Sequence, residues 1–502
     1  MLARPAHTAT QRKIESSLIV VIGICAVTTI VRIAGLMTSN VDLFTDESQY
    51  WSWSHELSWG YFSKPPLVAW IIRLAESVCG SSEACIRAPS PIFHFATCVL
   101  ICLTARKLYG PVVGLWASLL MMFGVALVFS SRIISTDVPL AFFWSLALWA
   151  YVNLLDRMNW QWAAALGLSV GLGMLAKYAM AYFVLGMLLA AVFDRRALAL
   201  LRSRLAWLTL AVAAVVVTPN LIWVLQHSFI TFRNVASAAQ TERGFGVHPV
   251  AALEFLAAQF AVFGPVVFGA FLYAIARVRP PEQTAEDRVM LSFALPPLLI
   301  ITFVALISRA YANWAATAVV SATILAAALL VRRNAWRWLA FSIGLGVFAQ
   351  AALLFGDAAA YQITIPFLPP GKSDVYQRTL GLRDLATQTG RFAAGAKAIA
   401  GEDRLTVAAL LYYLRNQPTQ ILAWPAPDIP TFDADRPLTE SAPQPIIFVT
   451  ECPVSKRLAI YYTTVEKIGE IRSSTGPTSS RYYTVFSLSG ARGEIMPLPA
   501  CS

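Results

Sequence analysis

This sequence contains little charge. Of its 502 residues, only 13% are Asp, Glu, Lys or Arg, whereas 57% are hydrophobic. A soluble protein cannot bury that much apolar surface, so the composition excludes an ordinary soluble domain and predicts a polytopic membrane protein. The basic residues responsible for the net charge of +11 are scattered between apolar segments, which argues against a nucleic-acid partner.

The sequence also lacks an internal repeat and a low-complexity tail. Transporters are commonly built from repeated halves with helices broken by Gly or Pro, and no matching halves are found here. The absence of such halves counts against a transporter or flippase of lipid-linked sugars, which is kept as the alternative to an enzyme. A third interpretation, a structural or sensor protein with an external ligand-binding domain, leaves the acids described below unexplained.

Apolar runs of about 20 residues recur along the chain, which is the length needed to cross a hydrocarbon core of ~30 Å. They predict eleven or more membrane spans. The eleven are Leu18–Met37, Ala88–Leu103, Val112–Phe129, Val138–Leu155, Trp162–Ala176, Tyr178–Phe193, Leu205–Trp223, Val250–Ala276, Leu291–Ile307, Ala312–Val331 and Trp338–Phe355.

The segment Trp162–Phe193 decides the topology, because it is long for one helix and short for two. Dividing it at Lys177 places most arginine-containing loops on the same side as the basic N-terminus. The positive-inside rule therefore favours two short helices, with the N-terminus in the cytoplasm. Leu18–Met37 is followed by no convincing cleavage site, so we interpret it as a span rather than a signal peptide.

An odd number of spans places the C-terminus outside the cytoplasm. After Asp357 the chain becomes richer in Pro, Gly and charge, with strand-like runs such as "RLTVAAL", "PIIFVTE" and "RYYTVFSL". These features predict a membrane domain over 1–356 and an extracytoplasmic α/β domain over 357–502.

The first outside loop, residues 40–87, has an unusual composition. Adjacent acids, Asp46 and Glu47, precede six aromatic residues and a Lys-Pro-Pro sequence at Lys64. The aromatic spacing predicts a helix lying at the bilayer surface. The two prolines suit the start of a second helix, "LVAWIIRLAES", and hold Lys64 at a tip between the two helices.

Acids and a cation at the membrane surface suit chemistry on a lipid-linked phosphate. Lysine binds phosphate as a point charge, and a carboxylate can accept a proton from an attacking hydroxyl. The simpler interpretation is a surface anchor with incidental charges, and the composition does not choose between the two.

Other ionisable residues near span ends are candidates for the same outer site. Arg132 and Asp137 lie in the next outside loop, Lys177 lies at the outer turn of the short hairpin, and Arg32 lies near the outer end of the first span. Arg233, Arg243 and His248 lie in the loop after the seventh span. Each has a simpler interpretation, since Asp137 suits a helix N-cap and Arg32 and Lys177 can extend to the interface.

Four of the seven cysteines fall in segments predicted to lie outside, where an oxidising compartment preserves disulfides. Cys79 and Cys85 flank a short flexible loop, "CGSSEAC", whose ends can approach to the ~5.5 Å that a disulfide needs. A second pair, Cys452 with Cys501, would tether the chain terminus.

The stretch "TDESQYWSWSHELSWGYFSKPPLVAW" resembles the first outside loop of polyprenyl-phosphate-dependent glycosyltransferases of the GT-C fold. This family includes aminoarabinose transferases that modify lipid A and protein O-mannosyltransferase-like enzymes. The resemblance extends over roughly residues 14–355 through "RIISTDVPLAFFW", "GLGMLAKYAMAYF", "PNLIWVLQHSFITFR" and "ANWAATAVV". In the C-terminal part, "TVAALLYYLRNQPTQILAW" is similar to the external domain of the same branch.

The resemblance implies a transferase that moves a sugar from a polyprenyl-phosphate donor to an envelope acceptor, with inversion, at the periplasmic face of the bacterial inner membrane. The acceptor would be lipid A, core oligosaccharide, another glycan or a protein. Asp46 matches the catalytic acid, with Glu47 beside it and Asp137 as the second-loop acid. Lys64 matches the lysine near the donor phosphate, and Arg132 or Arg243 would assist it.

The cofactor requirement is left open by one departure from the family pattern. The aminoarabinose branch has an acidic residue of a metal site just before the lysine, and Ser63 stands there in this chain. No cofactor is assigned from the sequence, and a divalent metal is the one candidate.

Overall fold

A computed structural model describes residues 9–234, 246–276, 283–369, 373–426, 431–452 and 455–498. Its helices, labelled α1 to α20 in chain order, are Ala9–Thr38, Thr45–His55, Leu67–Cys79, Glu83–Arg87, Pro89–Tyr109, Pro111–Met122, Val125–Ser130, Asp137–Asp156, Trp160–Ala176, Ala181–Phe193, Arg195–Leu201, Arg204–Gln226, Pro249–Val262, Pro265–Ala276, Ala285–Ile307, Ala318–Arg332, Trp336–Ala358, Leu382–Phe392, Arg404–Tyr413 and Ser455–Tyr461. Its strands, β1 to β5, are Ala398–Gly401, Gln420–Ala423, Ile446–Thr450, Tyr462–Ser474 and Ser480–Ala491.

The chain divides into two compact units that do not follow the predicted boundary throughout. The first unit contains residues 1–36, 59–71 and 87–353, and the second contains 37–58, 72–86 and 354–502. One boundary between the units lies between residues 353 and 354, and the predicted boundary lies between residues 356 and 357. The first outside loop, by contrast, is shared between the two units, which local sequence patterns do not indicate.

The first unit is a bundle of apolar helices. Helical structure occupies all eleven predicted spans. Among the residues that the structure describes, six helices are long and apolar enough to cross a membrane. Two of the predicted spans are interrupted: Val112–Phe129 near Gly124, and Val250–Ala276 at Gly264, whose φ of +85° ends a helix before Pro265. The number of spans remains a prediction.

Helices α9 and α12 pack closely through small residues. A Cβ added to Gly167 would lie 2.4 Å from the carbonyl oxygen of Thr209, and one added to Gly171 would lie 2.7 Å from the Val216 side chain. Small residues four positions apart let two helices approach closely where the hydrophobic effect gives little help. The predicted break in Trp162–Phe193 is present, because α9 ends at Ala176 and Lys177 has an extended backbone.

The second unit contains a five-stranded mixed sheet in the order β2-β1-β3-β5-β4. Strand β1 is parallel to β2 and β3, whereas β5 is antiparallel to β3 and β4. Apolar side chains on both faces of the sheet form separate cores, so β1 and β3 are buried throughout.

Two of the three predicted strand runs in the second unit are strands, namely β3 and β5. The third prediction is wrong, because "RLTVAAL" forms helix α19. Asp403 caps this helix, since its carboxylate accepts the backbone N–H groups of Leu405 and Thr406 at 2.8 and 3.0 Å. A capping aspartate ahead of an apolar run of this length is typical of a helix, and the apolar composition masked it.

Candidate active site

Helix α2 carries the two adjacent acids, and it is buried in protein rather than exposed to lipid. Tyr50 and Trp53 are only 2% and 3% exposed, so these aromatic side chains pack against protein. The position of the helix at the bilayer surface stays a prediction. Leu57 lies beyond the helix end and is 56% exposed. The buried aromatic residues therefore fix the orientation of α2 within the second unit.

The two acids on α2 differ in their surroundings. The Glu47 carboxylate accepts the backbone N–H of Phe44 at 2.9 Å, and its residue is 1% exposed. This contact satisfies one of the free N–H groups at the helix start, where a negative charge also suits the helix dipole. The Glu47 geometry favours a capping role, and its catalytic role stays a prediction.

Asp46 is paired with an arginine that the sequence did not suggest. Its carboxylate accepts a hydrogen bond from the Arg404 guanidinium, which also binds Gln49 through Nε at 2.9 Å. The side chains of Arg404 and Asp46 are 37% and 40% exposed. The carboxylate is thus held in one orientation while remaining open to a hydroxyl that could donate a proton.

One sequence signal could have pointed to Arg404. It is the first residue of α19, where a positive charge opposes the helix dipole and is unfavourable without an acidic partner. The strand interpretation of "RLTVAAL" does not place Arg404 at a helix start, so it gives no indication of this unfavourable charge. Asp46 lies 358 residues away and could not be identified as the partner from local pattern.

Lys64 lies in a turn of the first unit that neighbouring segments hold firmly. Its carbonyl oxygen accepts the backbone N–H of Tyr61 at 3.0 Å, and Thr231 donates to the Tyr61 carbonyl at 2.8 Å. A Cβ on Gly60 would lie 2.4 Å from the Trp223 ring, so only glycine fits there. The half-buried Lys64 is therefore placed by packing as well as by its two prolines.

Asp137 and Lys177, predicted separately, meet in the first unit. Lys177 Nζ lies 2.7 Å from Asp137 Oδ1, and Asn313 Nδ2 donates to Oδ2 at 3.2 Å. The N-cap interpretation of Asp137 is wrong, because Asp137 is the first helical residue and its carboxylate binds side chains. This pairing offsets much of the Lys177 charge, which weakens its case as a phosphate ligand.

The other predicted cations lie in different surroundings. Arg32 is 2% exposed and donates to Gln350 Oε1 at 2.7 Å and to the Met122 carbonyl at 2.6 Å, so protein groups account for its burial. Arg132 is half-buried, with its guanidinium 5.5 Å from the centre of the Phe129 ring. Arg243 lies outside the described residues. Their roles toward the donor phosphate stay predictions.

The first predicted disulfide has matching geometry in the structure. Cys79 and Cys85 are bonded, with their Cα atoms 5.8 Å apart. Cys452 also takes part in a disulfide, whereas Cys501 lies outside the described residues, so that pairing remains a prediction. Among the residues that the structure describes, no three His, Cys, Asp or Glu side chains form a metal-binding group.

The loop closed by the first disulfide contacts the C-terminal part of the second unit. Glu83 binds Arg383 at 2.7 Å and accepts a hydrogen bond from the Tyr413 hydroxyl at 2.5 Å. Tyr412 donates to the Ser81 carbonyl at 2.8 Å. The disulfide-closed loop is therefore fastened to α18 and α19.

Comparison with known proteins identifies the family. Residues 63–223 match the model of the dolichyl-phosphate-mannose-protein mannosyltransferase family. The lipid A galacturonosyltransferase RgtD of Rhizobium johnstonii is 34% identical over 475 residues, which is 93% of this chain and 96% of that protein. This chain belongs to the polyprenyl-phosphate-dependent glycosyltransferases of the GT-C fold. It is therefore a membrane glycosyltransferase, and a transporter is not favoured.

Solved structures confirm the fold of this glycosyltransferase. ArnT from Cupriavidus metallidurans, bound to undecaprenyl phosphate, superposes with a TM-score of 0.66 at 14% identity, over 94% of this chain and 99% of that one. A further relative by sequence, the lipopolysaccharide core galacturonosyltransferase RgtB of Rhizobium johnstonii, is 28% identical over a region that covers 53% of this chain and 56% of that protein. The expected GT-C fold with a C-terminal sheet domain is thus confirmed.

Proposed function

We propose that this protein transfers galacturonic acid from a polyprenyl-phosphate donor to lipid A, at the periplasmic face of the bacterial inner membrane. The observation that carries the proposal is its 34% identity to a lipid A galacturonosyltransferase over nearly the whole of both chains. The fold shared with ArnT bound to undecaprenyl phosphate supports a donor of that chemical class.

The proposed reaction is a direct displacement at the anomeric carbon. An acceptor hydroxyl oxygen forms the new glycosidic bond as the bond from the anomeric carbon to the phosphate oxygen breaks, which inverts the configuration. The hydroxyl proton passes to Asp46, and polyprenyl phosphate leaves without needing a proton. Only one base is required, in contrast to a retaining mechanism, which needs two carboxylates ~5 Å apart.

The two polar clusters have separate proposed roles in this reaction. Asp46, oriented by Arg404, accepts the proton or orients the hydroxyl. Lys64, held in its turn by Thr231 and Gly60, stabilises the negative charge that develops on the leaving phosphate. Asp137 and Lys177 form an ion pair that holds the start of α8 against the loop after α9.

The test uses the full-length protein reconstituted in vesicles with lipid A and one of three donors: polyprenyl phosphate linked to galacturonic acid, mannose or aminoarabinose. We expect transfer from the galacturonate donor, seen by mass spectrometry of lipid A, together with release of polyprenyl phosphate. Transfer from either other donor alone would overturn the proposed sugar. Movement of intact donor across the vesicle membrane without bond cleavage would indicate a flippase.

A further inference from the structure

The second unit contains a cavity that has no role in the reaction described above. Its volume is about 440 Å³, within the range of small-ligand sites. The cavity is lined by Trp51, His55, Ser81, Ser82, Arg415 and Asn416. These residues come from the end of α2, the disulfide-closed loop and the segment after α19.

The wall of this cavity is held rigidly by one buried acid. The Glu76 carboxylate accepts hydrogen bonds from Trp51 Nε1 at 2.7 Å, from Ser54 Oγ at 3.0 Å and from Ser81 Oγ at 2.6 Å. Three donors occupy most of the lone-pair positions of a carboxylate, so little of its accepting capacity is left for a ligand. Ser81 and Ser82 lie inside the loop closed by Cys79 and Cys85, which restrains that wall further.

Arg415 presents a preorganised cation at the cavity. Its guanidinium lies 4.4 Å from the centre of the Tyr412 ring, and Nη1 donates to the Tyr412 carbonyl at 2.7 Å. Its remaining N–H groups have no hydrogen-bond partner among the residues that the structure describes. A guanidinium fixed in this way is a fork that matches the two oxygens of a carboxylate or phosphate.

Further hydrogen-bonding groups line the cavity beside that cation. The His55 ring packs on Trp51 with 4.5 Å between ring centres, and the His55 side chain is 40% exposed. The Asn416 amide offers both a donor and an acceptor, and Ser82 also lines the cavity. An amphipathic ring beside several hydroxyl-binding groups and one cation suits a sugar with an acidic substituent.

The cavity and Asp46 lie toward opposite ends of one helix pair. Asp46 contacts Arg404 where α2 and α19 begin, and Trp51 meets Tyr412 edge-on near the ends of both helices, with 5.0 Å between ring centres. The two helices therefore run in the same sense. Asp46 and His55 are nine positions apart on α2, which corresponds to about 14 Å at 1.5 Å per residue.

We propose that this cavity is a subsite for an anionic sugar of the acceptor, one that carries a carboxylate or a phosphate. The inference rests on the proposed function, because an acceptor glycan that reacts at Asp46 must extend beyond a single sugar ring to reach the cavity. Arg415 binds the acidic group, while His55, Ser82 and Asn416 bind hydroxyl groups.

The first test measures binding by saturation-transfer NMR with the full-length protein in detergent micelles. The probes are glucuronic acid, glucose 6-phosphate and glucose, which separate a carboxylate, a phosphate and no charge. We expect at least one acidic sugar to bind about tenfold more tightly than glucose, and Arg415→Ala to remove this preference. The control Arg391→Ala, at another exposed arginine of the same unit, should preserve it. Equal binding of all three sugars, or an unchanged preference in Arg415→Ala, would overturn the subsite.

The second test measures steady-state transfer with each substrate varied in turn. Arg415→Ala should raise the KM for the acceptor by about tenfold, because a charge-assisted hydrogen bond is lost, and leave kcat and the KM for the donor near wild type. An unchanged acceptor KM would overturn the subsite while leaving the proposed function intact. If the wild-type protein transfers no sugar, the proposed function fails, and the binding experiment alone then decides the subsite.

Discussion

At the scale of residues, Asp46 is the acid whose loss should stop the chemistry. Asp46→Asn keeps the shape of the side chain and an oxygen that can still accept a hydrogen bond from Arg404, but it removes the base. We expect transfer to fall by about 10²-fold or more, with unchanged expression and elution on gel filtration. The matched control is Glu56→Gln, an exposed acid of the same unit that pairs with Arg436. Normal transfer by a well-folded Asp46→Asn variant would remove Asp46 from the mechanism.

Arg404 should act by positioning Asp46 and not by contacting substrate. Arg404→Ala removes the charge-assisted hydrogen bonds to Asp46 and Gln49, so kcat should fall by about tenfold or more while both KM values change little. Arg404→Lys retains the charge without the planar fork and should restore part of kcat. Steady-state kinetics measures the effect. A rise in one KM with unchanged kcat would instead indicate that Arg404 binds substrate.

Asp42 predicts an unusual pH dependence of stability. Burial raises the pKa of this carboxyl to about 6. The backbone N–H groups of Leu382 and Arg383 and the Arg383 guanidinium lower the pKa and so oppose part of this increase. Glu83, the nearby acid, adds to the increase. The folded protein binds the Asp42 proton more tightly than the unfolded chain does. The resulting contribution of Asp42 to the free energy of unfolding is fully present below pH ~4 and is lost as the pH rises through about 6.

Thermal unfolding of the wild-type protein and of Asp42→Asn between pH 4 and pH 7 tests this dependence. The asparagine can still accept the two backbone N–H groups but cannot ionise, so the variant should gain stability relative to wild type as the pH increases. A constant difference in unfolding temperature over this range would contradict the raised pKa. Asp384→Asn, at an acid on α18 of the same unit, is the control.

At the scale of elements, the disulfide-closed loop joins the first outside loop to α19. Breaking the bond by a double Cys79→Ser and Cys85→Ser change should lower the free energy of unfolding by about 2 kcal/mol, because the closed loop is short. The contacts of Glu83 with Arg383 and Tyr413 should weaken together with it. Chemical denaturation of the full-length protein, monitored by circular dichroism, measures this change in the free energy of unfolding.

Thiol alkylation of the denatured protein tests the same element chemically. Without reductant, only Cys25, Cys98 and Cys102 should be modified, since these three have free thiols. Modification of Cys79 and Cys85 under these conditions would show that their bond does not form. Modification of Cys452 and Cys501 would show the same for the predicted terminal pair, and would weaken the placement of the second unit outside the cytoplasm.

Elements were predicted well where one local pattern was strong. The apolar segments became helices, the break at Lys177 is present, and "PIIFVTE" and "RYYTVFSL" are strands. The strand prediction for "RLTVAAL" was wrong for a physical reason. An apolar run that is buried on most sides fits a helix and a strand equally well, and Asp403 was the residue that favoured the helix. The aromatic residues of α2 were ambiguous for a similar reason, since such residues suit both a membrane interface and a protein core.

At the scale of the whole molecule, the proposed orientation can be tested by reporter fusions. A fusion after Asp357 should support alkaline phosphatase activity and no activity of a cytoplasmic reporter, because an odd number of spans would place the second unit outside. Fusions after Arg202, in a predicted cytoplasmic loop, should give the opposite result. Cytoplasmic activity after Asp357 would require a different number of spans and would invert the assignment of the later loops.

The amino-acid sequence alone indicated a membrane protein that resembles the GT-C glycosyltransferases, and it indicated which loop carries the candidate acid. Composition and span length reflect the solvent around a helix directly, so they can be interpreted without knowledge of contacts. Three features became apparent only in the fold: Arg404 orients Asp46, Lys177 pairs with Asp137, and residues 37–58 and 72–86 belong with the C-terminal unit. Such pairs join residues 40 to 358 positions apart, and local patterns do not encode which distant side chain meets which.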